Sequence, residues 1–215
     1  MLFLKQLKNN NTKEWMDDNR KLYENAKEDF TVFINEIISG IAKFDKNILQ
    51  ANLDAKKCIT RLNRDVRFSK NKDPYKLNFA AMISMGGKKG NQAMYYVHIQ
   101  PGECFTGAGV YMPMPPELYK FRQEIDYNFK EWNSIITSKK FIKTYPAGIF
   151  SYESLVRTPK GFEEDSPALE YLKMKGFIAT APITDEIITS KTAVKQLLQH
   201  FEMAAPVVQF LNNAL

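Results

Sequence analysis

Three arginines at steps of three, Arg61, Arg64 and Arg67, open the stretch of this chain best equipped for chemistry, and Lys72 and Lys76 follow across Pro74. A guanidinium is a planar, permanently charged fork that matches carboxylate or phosphate oxygens, and lysine adds a mobile point charge. Converging, the five cations would hold one anion. Asp65 sits between two of the arginines, where positive neighbours keep a carboxylate ionised and let it orient a guanidinium. Asp65, Tyr75 and the more distant His98 are the groups expected to move a proton there.

The charge of the chain lies in the same place. Between Lys56 and Lys76 eight basic residues meet only Asp65 and Asp73, an excess of six that equals the formal net charge of all 215 residues, +6. The excess is local, so it points to one anion-binding place and not to a generally basic surface.

The elements that must position these groups follow from periodicity. Residues 12–44 read as helix, with Thr12 as a cap and Phe30, Ile34, Ile37, Ile38 and Ile41 on one face. A polar stretch, Asp45 to Asp54, interrupts the pattern. Residues 57–62 then read as a short strand. Runs at 79–85, 95–100 and 105–111 alternate with period two, as strands with two distinct faces do. Gly86 to Asn91 joins two of them as a hairpin loop. A symmetric loop pairs Met82 with Tyr96 and Ala80 with His98. Phe79, Ile83, Val97 and Ile99 then face a core, while Asn78, Tyr96, His98 and Gln100 share the other side.

Beyond 111, Pro115 suits a helix start, and 145–166 reads as irregular. A short helix at 168–174, a strand at 177–180, a helix capped by Ser190 and a separate segment from Pro206 complete the chain. The class is α+β: an antiparallel sheet over about 57–111, packed by N- and C-terminal helices, in a single domain over 1–215.

Other motifs lead nowhere. Gly86-Gly87-Lys88-Lys89-Gly90 lacks phosphate-loop spacing, and Gly107-x-Gly109 is followed by Met112 where the dinucleotide fingerprint needs glycine or alanine. His98 and His200 are the only histidines, too few for a multi-histidine metal centre, and no cofactor motif stands out. Cys58 and Cys104 form no Cys-x-x-Cys pair. No apolar run suits a signal peptide or a membrane span, so a soluble cytoplasmic protein is expected.

The run Arg61-x-x-Arg64-Asp65-x-Arg67-Phe68, followed by Lys72-x-x-Tyr75, resembles the signature of the bacterial domain of unknown function 2461. The resemblance extends through Asn10-Asn11, Tyr96-x-His98-Ile99-x-Pro101-Gly102, Gly109-x-Tyr111-Met112-Pro113 and Pro159-Lys160-Gly161. It implies family membership and no activity.

Three functions remain open. The first is a pocket, of a binding protein or an enzyme, for a phosphate- or carboxylate-bearing small molecule, held by Arg61, Arg64, Arg67, Lys72 and Lys76. The second is nucleic-acid binding, with Phe68, Tyr75, Tyr95 or Tyr96 stacking on bases. The third is a structural or partner-binding protein whose arginines form an internal ion-pair network.

Overall fold

A computed structural model describes residues 1–215. The N-terminal third is helical: α1 (Leu2–Asn9), α2 (Lys13–Asp18), α3 (Arg20–Ile41), α4 (Lys46–Ala51) and α5 (Ala55–Cys58). Thr12 caps α2 by accepting from the Trp15 amide, as its place before the helical pattern implies. The helical stretch expected over 12–44 divides at Asn19, whose side chain returns to the Trp15 carbonyl, into the short segment capped by Thr12 and the long α3. Asp45 and Asp54 cap α4 and α5 through their own carboxylates. The Asp54 cap displaces the strand expected at 57–62. Residues 55–58 are helical, and only Ile59 bridges to the sheet, at Ala81.

The sheet is built from β1 (Phe79–Ile83), β2 (Met94–Ile99) and β3 (Phe105–Val110), in antiparallel order. Met82 lies opposite Tyr96 and Ala80 opposite His98, the register set by the symmetric Gly86–Asn91 loop. Four helices follow: α6 (Pro115–Tyr127), α7 (Phe129–Ile136), α8 (Lys139–Thr144) and α9 (Leu169–Lys173). The chain then returns as β4 (Phe177–Pro182), which pairs antiparallel with β3 and extends the sheet beyond the expected span. A short α10 (Asp185–Ile188) leads to α11 (Ala193–Asn212). Thr192, not Ser190, stands at the N-terminus of α11, and Ser190 Oγ accepts from its amide. Pro206 does not start a new segment but lies inside α11, where Ala204, Ala205, Val207 and Val208 are all buried; their packing offsets the missing backbone bond.

One face of the sheet carries the core. Helices α3 and α11 pack on it and on each other, over Phe79, Ala81, Ile83, Tyr95 and Val97. Asp45 is buried there and accepts a 2.7 Å hydrogen bond from Tyr95, burial and the carboxylate together pushing the phenol pKa well up. The opposite face of β2 and β3 carries no such helical cover. No helix is long and apolar enough to cross a membrane.

Candidate functional site

The basic segment folds into a loop between two short antiparallel stretches. Arg64 N–H donates to Pro74 O and Lys76 N–H to Leu62 O, with Asn63 bridged to Tyr75. Asn11, in the turn between α1 and α2, fastens the foot of the loop. Its carboxamide donates to Tyr75 O at 3.0 Å and accepts from Tyr75 N–H at 3.2 Å. The Tyr75 residue is only 8% exposed.

Within the loop the signature side chains turn back on the loop itself. Asp65 accepts both Nε and a terminal nitrogen of Arg67, at 2.9 and 2.7 Å, and this fork holds the exposed carboxyl below its usual range. A terminal nitrogen of Arg64 reaches Ser69 Oγ, and Lys72 Nζ donates to Val66 O. These groups brace the loop. Arg61 and Lys76 have no acidic partner; burial and the nearby Arg61 charge together pull Lys76 below its usual value. Phe68, 95% exposed at the tip, lies under the Arg67 guanidinium at 5.8 Å. Tyr75 and Tyr95 are buried, so two of the four aromatics expected to stack on bases are out of reach.

The three expected proton-transfer groups are not brought together. Asp65 sits on the exposed loop, Tyr75 faces a cavity against α2 and α3, and His98 lines a different cavity on the open face of the sheet. None of the five expected cations lines either cavity.

The sheet-face cleft is the better-formed one, about 370 Å³ in volume. Its shape comes from β3. Across the sheet the open face reads Met82, Tyr96, Gly107, Thr180 in one row and Met94, Gly109, Ile178 in the next. The middle strand contributes no side chain to either row. Rows on β2 and β4 stand two strand spacings apart, roughly 9.5 Å, so the two glycines leave a trough one side chain deep. Phe105 closes one end, stacked on the His98 ring at 4.6 Å and 16°. Tyr111 and Tyr152, edge to face at 5.8 Å, rim the other and are largely exposed.

Polar groups gather at the Phe105 end. Tyr96 Oη lies 3.2 Å and Asn78 Nδ2 3.4 Å from His98 Nδ1. Both contacts fall on the same ring nitrogen and hold the imidazole in place on the sheet face. Burial lowers the His98 pKa, with a hydrogen bond to Gln100 and the charge of Glu103 pulling back; burial raises that of Tyr96. Both groups are therefore neutral near pH 7. Thr180 Oγ1, on the trough wall, has no partner within the chain.

Sequence reasoning placed His98 and Tyr96 on one face, and the trough completes their setting. It missed the trough itself, although Phe105-x-Gly107-x-Gly109-x-Tyr111 held the signal: a period-two strand with two side chains absent from one face. The family model for a conserved hypothetical protein, DUF2461, matches residues 1–210 of the 215. No curated protein and no solved structure shows significant similarity. The chain belongs to the DUF2461 family of conserved hypothetical proteins.

Proposed function

We propose that this protein binds a small molecule with a flat, largely apolar body in the trough of the sheet. The observation that carries the reading is the glycine column of β3, Gly107 and Gly109, flanked by apolar side chains and closed by an aromatic stack. A strand that omits side chains on one face, beside rings that offer π-surface, suits a planar ring system. Thr180 supplies an unused hydroxyl to fix its orientation.

Recognition fits the polar groups better than acid–base catalysis does. His98 Nδ1 is already engaged by Tyr96 and Asn78, and Tyr96 is a neutral phenol committed to it. Two buried free thiols, Cys58 and Cys104, accord with the reducing, cytoplasmic setting we assign to the protein.

Titration with N-phenyl-1-naphthylamine, a neutral flat fluorophore, tests the reading. Saturable, blue-shifted emission is expected for the wild type. Thr180→Phe, which fills the trough from its wall beside Gly107, should abolish it. Emission that never saturates, or that survives this variant in a folded protein, would refute the proposal.

A further inference from the structure

The second cavity, about 330 Å³, lies where α2 and α3 meet the foot of the basic loop, and it is independent of the trough. Its lining differs in kind. Tyr23 comes from α3, Tyr75 and Asn63 from the loop, and Lys13 from the first turn of α2. The hydroxyls of Tyr23 and Tyr75, the carboxamide of Asn63 and the ammonium of Lys13 have no partner in the chain and are free to meet a ligand in the cavity. All of them can donate. The one acid on the wall, Asp17, is already paired with Arg20 at 2.8 Å.

The site is positioned by contacts distant in sequence. Asn11 clamps the backbone of Tyr75, and the Asn63–Tyr75 bridge puts these two side chains on the same side of the ribbon. The Thr12 cap starts α2 so that Lys13 and Met16 reach the same space. An ammonium and three neutral groups able to donate, around a cavity whose only carboxylate is already paired with Arg20, suit an oxyanion.

We infer that this cavity binds the phosphate or carboxylate group of a small molecule, with Lys13, Tyr23, Asn63 and Tyr75 as its donors. Arg61 and Lys76, both lacking acidic partners, flank the lining residues Leu62 and Tyr75 and add to the local positive field. The anion expected at residues 61–76 is thus assigned to the foot of the loop, with donors from the N-terminal helices.

Methionine methyl NMR tests the assignment, because Met16 lines this cavity while Met82 and Met94 line the trough. Inorganic phosphate and acetate are titrated separately against sodium chloride at matched ionic strength. A saturable shift of Met16 with Met82 and Met94 unmoved is expected for at least one of the two anions, and the tighter of them identifies the group preferred. The double variant Tyr23→Phe/Tyr75→Phe keeps both rings and should weaken binding about tenfold or more. Lys13→Gln, at an exposed position, should weaken it without touching the fold. No saturable Met16 shift with either anion, or equal affinity in the folded variants, would overturn the assignment.

Discussion

Tyr96 and His98 stand two residues apart on the same face of β2, with the phenol oxygen 3.2 Å from imidazole Nδ1. Burial favours the neutral ring, beside a trough that exists because the next strand has glycine at 107 and 109.

That neutral state has a pH signature. Burial lowers both His98 and His200 from the ordinary 6.5. Between the folded and unfolded values the unfolded chain binds more protons, so stability rises with pH through this window. It is complete above about 6.5, falls as pH drops below that value, and levels off once pH lies under the folded values. Asp65, Glu153 and Glu186, all lowered, act further down the scale and with their own loss at lower pH. Urea midpoints should therefore fall between about pH 7.5 and 5.5, and His98→Gln/His200→Gln should flatten that slope.

The basic loop separates clamp from surface. Asn11→Ala leaves the Tyr75 N–H and C=O without partners and should destabilise by about 1–3 kcal/mol in urea unfolding. Asp65→Asn breaks only an exposed fork, and Phe68→Ser removes a ring that is almost wholly in solvent. Neither should move the melting temperature measurably.

Gly109 sits mid-strand at φ +111°, and a Cβ there would collide with the Phe177 carbonyl oxygen on β4. Gly109→Ala is expected to destabilise by more than about 1 kcal/mol, read from denaturant midpoints. Gly107→Ala places its Cβ in ordinary contact with Tyr96, the nearest atom 3.5 Å away, and should fold normally. The contrast separates backbone strain from the simple filling of the trough.

How far the sequence reached depended on range. Alternation over 95–100 exposed both faces of β2, and the symmetric loop fixed its register with β1, because period and turn are local. A strand at 177–180 is legible in the sequence, but its extension to Pro182 and its pairing with β3 some seventy residues earlier are not. At Asp54 the local signals conflicted: Ile59 and Leu62 suggested a strand, and the aspartate cap made residues 55–58 a helix. The sites divide in the same way. His98 and Tyr96 were legible together, whereas Asn11 reaches Tyr75 across 64 residues, a contact no pattern reveals. The arginines drew attention to residues 61–76, yet Arg64, Arg67 and Lys72 spend their donors inside the loop.

Methionine methyl NMR during titration with N-phenyl-1-naphthylamine reads the proposed ligand trough over the β3 glycines at its own walls. Of nine methionines, two line the trough. Saturable shifts confined to Met82 and Met94 are expected, lost in Thr180→Phe, with Met16 unmoved. Shifts spread over the other methionines, or no shift at Met82 and Met94, would contradict it.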